Sequence, residues 1–160
     1  MLSVTHGLTG AYLGSLFPQA PYIYLPAAFI LHFVEDAIPH WDFGTGMRSG
    51  KRHKLTTILL EIFELFLLAV IIFFLWQKSL PTSPSQIYWP VWLGAFSGIL
   101  MDILEAPRNF LHQGLPSLGP ISWIHKKVHT STPHILWGAI PQLLIISAII
   151  FLALHYPPNL

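Results

Sequence analysis

Cysteine is absent from this chain, which excludes disulfides, thiolate metal sites and a cysteine nucleophile, and leaves any bound metal to nitrogen and oxygen donors. Charge is scarce as well. Only 9% of the 160 residues are Asp, Glu, Lys or Arg, against about 25% in an ordinary soluble domain. Eight Lys and Arg against seven Asp and Glu leave a formal net charge of +1, so there is no basic field to attract phosphates, and no nucleic-acid partner is expected. No Lys or Arg precedes the first apolar stretch and no clear small-residue cleavage site follows it, so the first helix is expected to belong to the mature protein. Internal repeats and low-complexity tracts are also missing. Apolar surface is abundant: 53% hydrophobic residues and a mean hydropathy of +0.58 exceed what a soluble fold of this length hides.

Three apolar runs, Thr57–Trp76, Tyr88–Glu105 and Ile135–His155, approach the length of roughly twenty residues that crosses a ~30 Å hydrocarbon core. Pro90 sits near the start of the second, where its missing N–H costs nothing, and Pro107 is predicted to end it. Pro141 breaks the third early, as a tolerable kink. Leu2–Phe17 and Tyr22–Ile38 are shorter and are punctuated by Pro18, Pro21 and Pro26, so they read as two tilted spans or one re-entrant hairpin. The expected fold is all-α: a polytopic membrane bundle of about five transmembrane helices, or four plus a re-entrant hairpin, forming one domain over residues 1–160. Gly7, Gly10 and Gly14 share a helical spacing, and Gly10-x-x-x-Gly14 either admits a closely packed helix or marks a weak one.

With five spans, Arg48, Lys51, Arg52, Lys54, Arg108, Lys126 and Lys127 fall on the side of the N-terminus and only Lys78 on the other. The positive-inside rule then puts the N-terminus in the cytoplasm and the C-terminus outside, as in a prokaryotic inner membrane protein. The same partition gathers His6, His32, His40, His53, His112, His125, His129 and His134 at the cytoplasmic face, with Glu35, Asp36, Asp42, Glu61, Glu64, Asp102 and Glu105. Ionisable groups inside apolar helices are costly unless they pair or bind something, so such a cluster is a functional-site hypothesis.

His32 and Asp36 are four apart and share a helix face, and Pro39 is predicted to end that helix and return His40 and Asp42 to the same place. Asp102 and His6 would join them from other helices. Imidazole and carboxylate together suit a divalent ion, Zn²⁺ first and Mn²⁺ or Fe²⁺ as alternatives, with an open position for an activated water. The expected ligands are therefore His6, His32, Asp36, His40, Asp42 and Asp102. Glu35 and Asp36 are the candidate catalytic carboxylates, although Glu35 reads equally as an outer partner or an interfacial group. Glu61 and Glu64, one turn apart, are expected to pair with cations of the preceding loop. His125-x-x-x-His129 puts two imidazoles on one helix face but lacks the Glu of a zincin motif. Arg52, His53, His125, Lys126 and His129 form the candidate surface for an anionic substrate or lipid headgroup, with membrane anchoring the plainer use of the cations.

Four elements run in an ordered series: Thr5-His6-Gly7-Leu8-Thr9-Gly10, then Asp36 to Asp42, then Ser49 to Thr56, then Gly94 to Asp102. This pattern resembles the membrane-bound metal-dependent hydrolase family of the YdjM type over about two thirds of the chain. The resemblance implies a metal-assisted hydrolase, acting on a phosphoester lipid or another membrane-associated anion, with His6, His40, Asp42 and Asp102 as the best-matching positions. Gly98 stands where the family pattern has a histidine four residues before Asp102, and His32-x-x-x-Asp36 is this chain's own addition, placed to substitute for it. Other readings are a proton or metal-ion transporter, a structural bundle stapled by metal, and a di-iron lipid hydroxylase, the last disfavoured by the lack of a His-His pair.

Overall fold

The computed structural model describes residues 1–44, 53–78, 86–111 and 118–156. Its regular elements are α1 (Ser3–Leu16), α2 (Pro21–Asp36), α3 (Lys54–Ile72), α4 (Trp89–Leu111), α5 (Gly119–Val128) and α6 (Ile135–His155). There is no strand among the described residues. A π-helical turn, Phe73–Gln77, continues α3.

Length separates these helices. At a rise of 1.5 Å per residue, the 14 residues of α1 and 16 of α2 cover only ~21 and ~24 Å, short of a ~30 Å hydrocarbon core. Lys54–Gln77, with 24 residues, and α6, with 21, are long and apolar enough to cross a membrane. The 23-residue α4 is long enough, but Asp102, Glu105 and Arg108 fall in its second half. Among the described residues, then, two helices qualify as spans by length and composition, where the sequence suggested about five.

α1 is the most enclosed helix, packed mainly on α4 and flanked by α2, α3 and α6. Glycine makes this possible. A Cβ on Gly10 would overlap the Gly94 carbonyl, one on Gly14 the Pro90 carbonyl, and one on Gly98 the His6 carbonyl. The two backbones therefore meet without side chains between them, the close approach that the Gly10-x-x-x-Gly14 spacing permits, and α4 answers with Gly94-x-x-x-Gly98. Below this seam Val4, Leu8 and Ala11 of α1 join Leu68 and Ile72 of α3, Val91, Ala95 and Ile99 of α4, and Ile149 and Ala153 of α6 in one apolar core. Gly10→Ala cannot be absorbed by a rotamer change, because the obstacle is backbone. Overpacking of this kind costs ~1–3 kcal/mol, so thermal unfolding in detergent should show a midpoint lower by several degrees. An unchanged midpoint would mean that α1 and α4 do not meet here.

Three features depart from the sequence expectations or add to them. Pro107 does not end α4, which continues to Leu111. Between α4 and α6 lies a short helix, α5, that is not one of the apolar runs: Pro120 near its start suits a helix beginning and His125, Lys126 and Lys127 suit its last turn. Glu61 and Glu64 serve the start of α1: Glu64 Oε1 accepts the Val4 N–H at 2.7 Å and Glu61 Oε2 the Ser3 hydroxyl at 3.4 Å. Carboxylates there satisfy amides that have no intrahelical acceptor and complement the helix dipole. The loop cations Arg48, Lys51 and Arg52, expected as their partners, lie outside the described residues.

Outward faces carry the opposite character from a soluble fold. Leu59, Phe63 and Phe66 of α3 and Leu136, Leu143 and Leu144 of α6 are all exposed. Large apolar surface of this extent requires a partner or a membrane.

Candidate metal centre

Asp36 is the last residue of α2 and is fully buried. Five imidazoles surround it. His6 Nε2 approaches Asp36 Oδ1 at 3.2 Å and His40 Nε2 the same oxygen at 3.7 Å. His125 Nε2 lies 2.7 Å from Oδ2, His32 Nε2 3.5 Å and His129 Nε2 3.9 Å. The Met1 amine also pairs with Oδ1. Asp102 Oδ1 stands 3.8 Å from His32 Nε2, and Asp42 Oδ2 stands 3.7 Å from both His40 and His129.

Each of these side chains arrives for a local reason. The Thr5-His6-Gly7 stretch of α1 is pressed against α4, so His6 is held inside the bundle. His32 and Asp36 are one turn apart on α2, as their spacing predicts. Beyond α2, Pro39 prevents helix continuation and the chain doubles back along residues 130–132. The Thr130 N–H donates to the Asp36 carbonyl at 2.9 Å, the His40 N–H to the Thr130 carbonyl at 3.1 Å, and the Thr132 N–H to the His40 carbonyl at 2.7 Å. Trp41 N–H then donates to Gly138 O at 3.2 Å, where a glycine Cβ would strike Trp41. These bonds set His129 beside His40. α5 brings His125 to the other side of Asp36.

The outer nitrogens are held as firmly as the inner ones. His32 Nδ1 donates to the Gly98 carbonyl at 2.9 Å and His40 Nδ1 to the Ile38 carbonyl at 2.8 Å. His6 Nδ1 meets Glu35 Oε2 at 2.6 Å, and His125 Nδ1 meets Glu105 Oε2 at 3.3 Å. A backbone carbonyl has no proton to give, so Nδ1 of His32 and His40 must carry one, and the Nε2 of each neutral ring is a lone pair. Those lone pairs face other donors: His32 Nε2 is 3.3 Å from His125 Nε2, and His40 Nε2 is 3.1 Å from His129 Nε2. Nδ1 anchored on oxygen with Nε2 turned toward a shared point is the arrangement of metal-binding histidines. Among the described residues, Asp102 Oδ2 is buried with no hydrogen-bond partner, a further acceptor at the same place.

Charge in the loop residues follows from the same contacts. Burial opposes protonation of His125, but hydrogen bonds to Asp36 and Glu105 outweigh it and lift the imidazole to about 9. Burial, reinforced by the Met1 amine, holds His40 near 4 despite Asp36, and burial also lowers His129.

The structure thus brings together His6, His32, Asp36, His40, Asp42 and Asp102, all named from sequence as ligands. It adds His125 and His129, which sequence reasoning placed on a substrate surface instead. These two lie within ligand distance of the same carboxylates. Their i, i+4 spacing was the visible signal, and α5 was the missing element. Glu35 is not a free base: His6 Nδ1 takes one oxygen and the Thr9 hydroxyl donates to the other at 2.5 Å. It orients His6. Asp36 is likewise fully engaged. Lys126 is exposed, Lys127 lies over the Trp123 ring at 4.0 Å, and His53 is exposed at the start of α3, none of them in the cluster. Arg52 lies outside the described residues. Comparisons with known protein families, with curated proteins and with solved structures find no match to this chain.

Proposed function

We propose that this protein is an integral membrane metal-dependent hydrolase, using a His/Asp-bound divalent ion at the cytoplasmic face to hydrolyse a membrane-associated phosphoester. The observation that carries the reading is the convergence of five imidazole Nε2 atoms, those of His32 and His40 being lone pairs, with carboxylate oxygens, four of the rings being held through Nδ1. A cation is the chemical species that relieves such a cluster, and its nitrogen and oxygen donors suit Zn²⁺, with Mn²⁺ and Fe²⁺ next. The ion supplies Lewis acidity and a water of lowered pKa.

The remaining work falls to the chain. Water's oxygen bonds to phosphorus, the bond from phosphorus to the leaving oxygen breaks, and a water proton passes to the leaving alkoxide through a nearby base. Asp102 suits that relay better than Glu35 or Asp36, because its buried Oδ2 has no hydrogen-bond partner among the described residues, whereas both oxygens of Glu35 and of Asp36 are engaged. Arg108, 3.7 Å from Glu105, is the described cation best placed to receive an anion beside the His125 side of the site.

Membrane placement draws on the lengths and exposed apolar faces of α3 and α6. The other helices complete a bundle around the short α1–α2 pair, which fits a re-entrant hairpin better than two full spans. Lys54, Arg108, Lys126 and Lys127 lie on elements at the metal end and Lys78 follows the opposite end of α3, so positive-inside reasoning puts the cluster in the cytoplasmic half. Within the resemblance to YdjM-type hydrolases, Gly98 loses the family's histidine but offers its carbonyl to His32, which supplies an imidazole from α2 instead.

The test is hydrolysis by the detergent-purified protein. Phosphatidic acid and a chromogenic phosphodiester should release product, chelation should abolish it, and Zn²⁺ or Mn²⁺ should restore it. Asp102→Asn should lose at least ~100-fold in kcat, the scale of general acid–base catalysis. Metal-loaded protein inert toward both phosphoester classes would refute the hydrolase reading.

A further inference from the structure

We propose that the centre binds two divalent ions, bridged by Asp36, rather than one. The inference rests on the metal-binding reading of this cluster and adds the number of ions and their ligands. Two triads carry it: His32, Asp102 and His125 place ligand atoms within 4.8 Å of one another, and so do His40, Asp42 and His129. The triads share no residue. The first draws on α2, α4 and α5, the second on the turn after α2 and the residue that follows α5.

Each triad has its own pair of opposed imidazoles. His32 and His125 face each other across 3.3 Å, and His40 and His129 across 3.1 Å. Asp36 stands between the pairs, with Oδ2 at 2.7 Å from His125 and 3.9 Å from His129, and Oδ1 at 3.7 Å from His40. A carboxylate contacting ligands of both triads is the bridging geometry. His6 adds a donor at Asp36 Oδ1 and packs its ring on His32 at a centroid distance of 4.0 Å, which assigns it to the first triad.

Coordination number gives the second argument. Five imidazoles and three carboxylates converge here. A first-row divalent ion takes about four to six ligands and keeps one position for water in a catalytic site, so one ion cannot take all of these groups as ligands. Two ions sharing Asp36 employ the whole set and give the buried Asp102 Oδ2, which has no hydrogen-bond partner among the described residues, a partner. A pair of ions also suits phosphoester chemistry, because it can stabilise the entering and leaving oxygens together.

The experiment is Mn²⁺ loading of the full chain in detergent after chelator stripping, read by elemental analysis and electron paramagnetic resonance. Two Mn²⁺ per chain with the broad spectrum of an exchange-coupled pair is the expected result. Asp102→Asn and His129→Ala alter partly exposed side chains, 34% and 29% accessible, and so disturb the fold least. Each should reduce loading from two ions to one and replace the coupled spectrum by the six-line signal of isolated Mn²⁺. One ion per chain at saturation in the unmodified protein would overturn the two-ion proposal while leaving a mononuclear hydrolase intact. No bound ion at all would overturn both.

Discussion

Asp36→Asn should all but abolish metal binding while leaving the helices in place. The substitution keeps the size of the side chain and removes only its negative charge, at the point where His125 approaches at 2.7 Å and His6 at 3.2 Å. Outer partners of metal-binding histidines are worth ~10–100-fold in metal affinity, so a carboxylate at the centre of the cluster should exceed that range. Glu35→Gln is the internal control. It touches His6 Nδ1 from outside and should fall within the 10–100-fold range. Competition against a metal-sensitive dye, with circular dichroism to verify helix content, measures both. Equal losses in the two variants would remove Asp36 from the centre.

Metal removal should lower thermal stability, and the loss should grow with pH. An ion present at a thousandfold excess over its dissociation constant stabilises by ~4 kcal/mol. A chain of this size changes its midpoint by ~2–4 °C per kcal/mol, so the expected drop on chelation is of order 10 °C per ion. The pH dependence has two parts of opposite sign. Without metal, His125 is raised from 6.5 to about 9, so its stabilising proton is fully in place below pH 6.5 and lost as pH climbs through about 9. With metal, the ion needs the Nε2 lone pair and displaces that proton, so binding strengthens over the same interval. Differential scanning fluorimetry of loaded and chelated protein should therefore show their midpoints separating from pH 6.5 toward 9 and converging on acidification. A gap independent of pH would mean that the ion does not compete for His125.

Local patterns in the sequence were legible and distant geometry was not. The three long apolar runs map onto α3, α4 and α6, and the bounds of α6 coincide with its apolar run, because a continuous apolar stretch leaves little choice of structure. His32 and Asp36 share a face because four residues are about one turn. The return of His40 is foreshadowed by Pro39, but only the backbone bonds to Thr130 and Thr132 fix where it returns. α5 has only ten residues; the i, i+4 spacing of His125 and His129 was visible, but nothing local placed that face against Asp36, and so the two were assigned to a surface. Glu64 accepts an amide and Glu61 a hydroxyl at the start of α1, contacts that no side-chain pattern reveals. About five spans were expected from composition, and two of the described helices qualify by length and composition; α1 and α2 are apolar but short, bounded by Pro18 and Pro39.

The centre draws on α1, α2, the turn after it, α4 and α5, from His6 to His129, and this spread bears on biogenesis. During synthesis, the ligands on α1 and α2 emerge long before those on α5, and for that interval Asp36 is without His125 and His129. If two ions are bound as proposed, their loading would belong to the end of assembly, after α5 has packed against α2. A nascent chain stalled before His125 should lack the completed centre. Bound metal would then report that the whole bundle has closed, giving the cell a chemical criterion for separating finished copies from those still being built.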